Sequence, residues 1–159
     1  MPSLTFQQLI RAGSSGPVET RAARISVDFV VDGKSLLARL GEADDDGGQH
    51  VTLDGMAEGY MGCFVKGFES DNFRKSAQLI VARKPDTEEG RFLLYVCPEC
   101  GDIGCGAYGT KVRITETDVE WYDFAFENGY EPGRPLPSVG PFCFSRTEYA
   151  SVIRSAGAA

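Results

Sequence analysis

Apolar and polar residues alternate along residues 25–31, and this is the clearest structural signal in the chain. A period of two is typical of a β-strand with one buried face. The dipeptide Asp32-Gly33 follows at once and is typical of the type I′ turn of a hairpin. The pattern therefore predicts a hairpin whose second strand is formed by residues 36–40.

Similar patterns predict more strands in the second half of the chain. The run at 91–96 is nearly continuous in apolar residues, as expected of a strand in the middle of a sheet. Glycines and aromatic residues are mixed over 59–69, which is typical of a bent or bulged strand. The other predicted strands lie at 78–82, 109–115, 118–126 and 142–144, and the middle two of these are close enough to form a hairpin.

Helices are predicted at the two ends of the chain. Residues 4–12 have a short amphipathic pattern that indicates an N-terminal helix, and the glycines and proline of 13–17 end it. Ser145 and Glu148 have the spacing of a capping box and predict a C-terminal helix from Arg146 to about Ser155. The predicted fold is α+β, mainly an antiparallel β-sheet meander with a short N-terminal helix and a C-terminal helix.

The size and composition predict one ordinary globular domain, residues 1–159. Hydrophobic residues make up 42% and charged residues 25% of the chain, which is too apolar for a disordered protein. No run approaches the roughly 20 apolar residues of a membrane span. The N-terminus lacks the basic and apolar regions of a signal peptide, so a cytoplasmic location is expected.

The net charge of −7 is concentrated in one part of the chain. Residues 86–131 contain eleven acidic and three basic side chains. Such a negative field disfavours binding to nucleic acid or to an anionic membrane and favours a basic protein partner. The alternative is that the acidity only keeps the protein soluble.

Acidic and aromatic residues in two places are the candidates for partner binding. The triple aspartate at 44–46 lacks the alternating oxygen spacing of an EF-hand, so a calcium loop is not favoured. Tyr130 lies in the proline- and glycine-rich loop 128–141, where an exposed aromatic side chain could anchor a partner. The acidic candidates are Glu42, Asp44, Asp45 and Asp46 in a loop, and Glu116, Asp118 and Glu120 next to a predicted strand.

Three cysteines, Cys97, Cys100 and Cys105, form the candidate metal site. The CPECG sequence resembles half of a zinc knuckle, in which the turn directs two thiolates at one ion. A fourth ligand would have to come from Cys63, Cys143, His50 or a nearby acid. A redox role is less favoured because no helix is predicted after Cys100 to lower a thiol pKa. A structural turn with buried cysteines is the third alternative, so no cofactor is expected unless zinc binds here.

No catalytic motif was found in the sequence. It contains no GxSxG, Walker A, GxGxxG or HExxH pattern. The only histidine, His50, lies in an acidic loop that would orient a base poorly. An enzyme is therefore not favoured.

Residues 93–153 resemble a widespread group of small bacterial proteins, most of which have no assigned function. The resemblance rests on the apolar strand, the cysteine-glycine turn 97–106, the WYDF block 121–124 and the GPFCFSRTEY sequence 140–149. The group implies no catalytic residues for this chain. Its small size and acidity are similar to those of immunity proteins, which neutralise bacterial toxins. By this analogy of class, the resemblance implies an immunity protein that covers the active site of a basic toxin domain. The alternative, which rests on Cys97, Cys100 and Cys105, is a zinc-stabilised structural or regulatory domain.

Overall fold

The computed structural model describes residues 1–15, 20–21, 23–44, 59–99 and 103–159. Of the described residues, 38% are in strands and 28% in helices, which confirms the predicted α+β class with mainly antiparallel sheets. In chain order the described elements are β1 (Leu4–Arg11), β2 (Ser14–Ser15), β3 (Thr20–Arg21), β4 (Arg24–Val31), β5 (Lys34–Ser35), α1 (Leu36–Ala43), β6 (Met61–Gly62), α2 (Glu69–Val81), β7 (Phe92–Val96), a 3-10 helix (Ile103–Cys105), β8 (Ala107–Ile114), β9 (Asp118–Glu127), β10 (Arg134–Pro135), β11 (Phe142–Ser145) and α3 (Arg146–Ala158).

Two antiparallel sheets carry most of the strands. The larger sheet has the order β10-β9-β8-β7-β6, and β11 also pairs with β9. The chain passes back and forth through β7, β8 and β9, which is the predicted meander. β7 has a neighbour on each side, as expected from its apolar sequence. The smaller sheet has the order β1-β4-β5.

A close crossing joins the two sheets at β6. The backbone N–H of Val27 in β4 donates a hydrogen bond to the carbonyl of Phe64, with an N···O distance of 3.1 Å. Gly62 lies so close to β4 that a Cβ atom added to it would be 1.8 Å from the Val27 carbonyl oxygen. No side chain fits in that space, so β6 can pass β4 only with glycine at this position.

The N-terminal segment is a strand, so the prediction of a helix at 4–12 is wrong. β1 pairs with β4 along its full length, from Leu4 opposite Val31 to Arg11 opposite Arg24. A helix of this length is marginal in water by itself. Pairing with β4 instead satisfies the backbone hydrogen bonds and buries Leu4 and Leu9 in the core.

The Asp32-Gly33 turn was predicted correctly, but the second strand of its hairpin is short. Both turn residues have positive φ, 49° and 77°, and the strand after them ends at Ser35. Residues 36–40, predicted as strand, belong to α1. The Ser35 hydroxyl accepts a hydrogen bond from the Ala38 N–H at 3.0 Å and caps this helix. A helix also buries Leu36, Leu37 and Leu40 together, which an alternating strand would not do.

Residues 78–82, also predicted as strand, form the end of α2. The helix buries one face, on which Asn72, Ser76 and Leu79 lie. Ala82 ends it in the left-handed conformation, with φ of 53°. An apolar run of four or five residues occurs in both strands and helices, and its periodicity alone does not distinguish them.

Most of the C-terminal third was predicted correctly, except that the predicted loop 128–141 contains the short strand β10. The β8–β9 hairpin, β11 and α3 all lie within a few residues of their predicted positions. Ser145 is the N-cap of α3, but its side chain makes no capping hydrogen bond. Ser145 instead pairs with Asp118 at the end of the β11–β9 ladder.

The core is centred on Trp121 of β9, which is fully buried. Its indole N–H donates a hydrogen bond to the Tyr149 hydroxyl at 3.3 Å, and that hydroxyl donates to the carbonyl of Leu79 at 2.9 Å. This chain of hydrogen bonds connects the large sheet to α3 and α2. It also fixes β9, whose last residue, Glu127, leads into the loop that carries Tyr130.

Candidate functional site

The predicted acidic loop is only partly a surface feature. Glu42 is exposed on α1 and forms an ion pair with Lys34 at 2.9 Å. Asp45 and Asp46 lie outside the described residues. Asp44, by contrast, is only 4% exposed. The expectation that Asp44 is a solvent-facing carboxylate is therefore wrong.

Hydrogen bonds from the large sheet hold Asp44 inside the protein. Asp44 accepts one from the Tyr108 hydroxyl at 2.8 Å and one from the Arg134 guanidinium at 2.6 Å. Burial, together with the hydrogen bond to Asp44, raises the pKa of Tyr108, so the tyrosine stays a donor. Arg134 also lies over the ring of Phe126, 4.6 Å from its centroid. Asp44 thus anchors the end of α1 to the large sheet.

Glu116, Asp118 and Glu120 lie at the turn end of the β8–β9 hairpin. Glu116 is exposed, and Glu120 forms an ion pair with Arg113 at 2.7 Å. The Asp118 N–H donates to the Thr115 hydroxyl and helps to close the turn. β9 is ten residues long, so this group is about 30 Å from the other end of the strand, where Tyr130 follows. The structure therefore does not bring the predicted residues together.

Tyr130 is the most exposed aromatic residue described, with 83% of its surface accessible. Its backbone is nevertheless fixed, because the Asn128 side-chain oxygen accepts hydrogen bonds from the N–H groups of Tyr130 and Glu131, at 3.0 and 3.1 Å. Gly129, between Asn128 and Tyr130, has a φ of 79°. A ring in solvent on a fixed backbone is well suited to anchoring a partner.

Next to Tyr130 is a cavity of about 670 Å³, here called the Tyr130 pocket. It is strongly acidic, because two stretches of chain that are far apart in sequence each contribute carboxylates. One is the turn before β7, and the other is the end of β9 with its following loop. The five carboxylates are Asp86, Glu88, Glu89, Glu127 and Glu131.

A buried arginine holds the base of the Tyr130 pocket together. Arg91 is 3% exposed and forms ion pairs with Glu89 at 3.3 Å, Asp123 at 3.0 Å and Glu127 at 3.5 Å. Its Nε also donates to the Asp123 carbonyl at 2.8 Å. Burial works against ionisation of Asp123, but hydrogen bonds from Lys111 and Arg91 hold its pKa below the usual value. Arg91 thus ties the turn before β7 to β9.

Within the described part of the chain, the hydrogen bonds of the Glu127 carboxylate are incomplete. The residue is 4% exposed, and its Oε1 is the atom nearest to Arg91. Its Oε2 has no hydrogen-bond partner among the described residues. Burial raises the pKa of Glu127, and the nearby Arg91 and the Thr87 hydroxyl only partly offset that effect. A buried acceptor without a partner, lining an acidic pocket, is suited to receiving a cationic donor from a ligand.

The pocket carboxylates were not predicted as site residues. Glu88, Glu89, Glu127 and Glu131 meet only because β7 and β9 belong to the same sheet. The sequence signal was the concentration of acids between 86 and 131, which indicated the region but not the positions.

The cysteine segment is described only in part. Cys97 is half-buried after β7, and Cys105 is exposed at the end of the 3-10 helix. Cys100 lies outside the described residues. Within the described part of the chain, no three histidine, cysteine or acidic residues are placed to hold a metal ion. The zinc site thus stays a prediction.

Comparison with protein-family models, with curated proteins and with solved structures found no match to this chain. The resemblance to small bacterial proteins therefore stays a prediction. No helix among the described residues is long and apolar enough to cross a membrane.

Proposed function

We propose that the protein is an immunity-type binding module that docks a basic toxin domain through the Tyr130 pocket. The observation that carries this proposal is the Oε2 of buried Glu127, which has no hydrogen-bond partner among the described residues and lies in a pocket with four other carboxylates and an exposed aromatic ring. The proposal assigns binding to the pocket and no catalysis. It places the protein in the cytoplasm, where its cysteines stay reduced.

The pocket chemistry suits an arginine or lysine side chain of the partner. A guanidinium could donate to Glu127 Oε2 while its plane lies against the ring of Tyr130. The exposed carboxylates Glu88 and Glu131 would attract a basic surface from a distance and speed association. A toxin that binds nucleic acid or nucleotides has a positively charged cleft. A protein that covers this cleft needs a negatively charged surface, such as the carboxylates of the Tyr130 pocket.

The first test measures binding to a basic toxin domain encoded next to this gene. Tyr130→Ala should weaken binding about 30-fold, as expected for loss of an aromatic anchor.

Reversing two pocket charges, with Glu88→Lys and Glu131→Lys, should slow association roughly tenfold at low salt and much less at high salt. Surface plasmon resonance at two salt concentrations, together with survival of cells that express the toxin, would measure both effects.

The matched control for charge is Glu116→Lys, which reverses an exposed acid at the opposite end of β9. It should change the affinity less than about threefold. If Glu116→Lys weakens binding and the pocket variants do not, docking occurs at the hairpin turn and the Tyr130 pocket is wrongly assigned. Unchanged toxin protection in all of these variants would also contradict the proposal.

The pH dependence of binding tests the role of Glu127 itself. Burial raises its pKa, so the free protein holds a proton there at a higher pH than an ordinary glutamate does. A cationic ligand competes with that proton. Affinity should therefore rise as the pH rises through the Glu127 pKa and then level off. Calorimetric titrations from about pH 4.3, the ordinary glutamate pKa, up to neutral pH should show this rise in the wild type, and Glu127→Gln should remove it. A wild-type affinity that does not change with pH would count against a cation at Glu127.

A further inference from the structure

The outward face of α2 carries an apolar stripe that nothing in the described structure covers. Phe73, Ala77 and Val81 are spaced four residues apart and thus lie on one side of the helix. Phe73 is 76% exposed and Val81 is 54% exposed. Large apolar side chains grouped on the surface of a small protein mark an interaction site more often than scattered ones do.

A groove runs beside this stripe, between α2 and the end of α3. Its volume is about 850 Å³, and Ile80, Arg154 and Gly157 are among the residues that line it. Ala77 is also part of the lining, and its small side chain leaves the middle of the helix open to close approach by another helix.

The charges at the two ends of α2 are opposite in sign. Glu69 and Asp71 lie in the first turn and Lys66 just before it, whereas Arg83 and Lys84 follow the last turn. Among the described residues, Asp71 pairs with Arg74, and no ion pair involves Glu69, Arg83 or Lys84. A second α2 laid antiparallel across the first would set each Glu69 beside the basic residues of the other copy, and a parallel arrangement would set like charges together.

We propose that two copies of this chain associate through α2, as an antiparallel pair centred on Ala77. With Ala77 on the two-fold axis, Phe73 of one copy lies next to Val81 of the other and over the floor of the groove. The interface is self-complementary, as a two-fold axis requires. This surface is independent of the Tyr130 pocket and of the proposed function.

An anionic membrane is the other occupant to consider, because residues 66–84 contain five basic and two acidic side chains. The second copy is favoured for two reasons. Glu69 is exposed at one end of the helix and would be repelled by anionic lipid, whereas Asp71 at the same end pairs with Arg74. In the antiparallel pair, Glu69 instead meets a basic partner.

Sedimentation velocity of the full chain, over roughly a 100-fold range of concentration, tests the pairing. α2 has 13 residues and is about 20 Å long, so the interface is small and the dissociation constant should be on the order of 10–100 µM. Phe73→Glu should raise that constant at least roughly tenfold. Thr147→Glu, which adds the same charge at an exposed site in the first turn of α3, should leave it unchanged.

A charge swap tests the orientation. Glu69→Lys alone and Lys84→Glu alone should each weaken the dimer about threefold, and the double variant should restore wild-type affinity. Only an antiparallel pair gives that restoration. A monomer at all concentrations would overturn the proposal, and so would a dimer that Phe73→Glu leaves intact. Binding of the monomer to phosphatidylserine vesicles, lost in Phe73→Glu, would assign the face to a membrane instead.

Discussion

Trp121→Ala is expected to lower the free energy of unfolding by about 3–5 kcal/mol, the range for removing a large aromatic side chain from a core. The indole is fully buried and meets the rings of Phe29, Phe144 and Tyr149 edge-on, with centroids 5.2 to 5.9 Å apart. Its N–H also donates to Tyr149, and that bond is lost as well. The loss should therefore loosen β9, β11 and α3 together.

Urea unfolding followed by far-ultraviolet circular dichroism would measure this loss. Fluorescence would not serve, because Trp121 is the only tryptophan and the variant has none. Tyr130→Ala, which truncates an aromatic residue that is 83% exposed, is the matched control in the absence of a partner protein and should cost less than about 0.5 kcal/mol. A loss below about 1 kcal/mol in Trp121→Ala would show that the core is not centred where the structure places it.

Arg91→Met is expected to have the second largest effect, about 3–5 kcal/mol at neutral pH. The methionine fills most of the space but leaves the buried carboxylate of Glu127 without its cation, and an uncompensated buried charge is costly. The double variant Arg91→Met with Glu127→Gln should recover a substantial part of the loss, because the remaining charge is then gone. Arg113→Met, which breaks the exposed pair with Glu120, should cost no more than about 1 kcal/mol.

The pH dependence of Arg91→Met separates this cause from a simple packing defect. Burial already raises the Glu127 pKa in the folded protein, and loss of Arg91 raises it further. When a carboxyl has a higher pKa in the folded protein than in the unfolded chain, the free energy of unfolding falls as the pH rises. The fall begins at the unfolded pKa of about 4.3 and ends above the folded pKa. The defect should therefore be largest at pH 7 and smaller at pH 5. A defect equal at both values would point to packing.

The elements predicted correctly are those whose secondary structure depends mainly on their local sequence. The Asp32-Gly33 turn and the alternating strands β8 and β9 are set by local pattern, and all were predicted correctly. The wrong predictions concern segments whose secondary structure depends on packing against residues that are distant in sequence. Residues 4–12 are a strand because β4 is available to pair with them, and 78–82 are helical because the α2 face that they complete packs in the core.

The candidate site was predicted in part for a similar reason. Tyr130 could be identified from its loop, because a solvent-facing aromatic in a glycine-rich segment is a local feature. Asp44 could not be recognised as buried, because its partners Tyr108 and Arg134 are 64 and 90 residues away in sequence. The Tyr130 pocket depends on the pairing of β7 with the β8–β9 hairpin and on the position of Arg91; the sequence predicts the hairpin but neither its pairing with β7 nor the place of Arg91.

The crossing at Gly62 has a consequence for recognising relatives of this protein. The position has no room for even a methyl group, because the Val27 carbonyl occupies the space. Surface residues such as Tyr130 are free to diverge as partners change, whereas this position is not. Glycine aligned with Gly62, between an alternating strand and a helix, is therefore expected to persist in distant homologues after the binding surface has become unrecognisable.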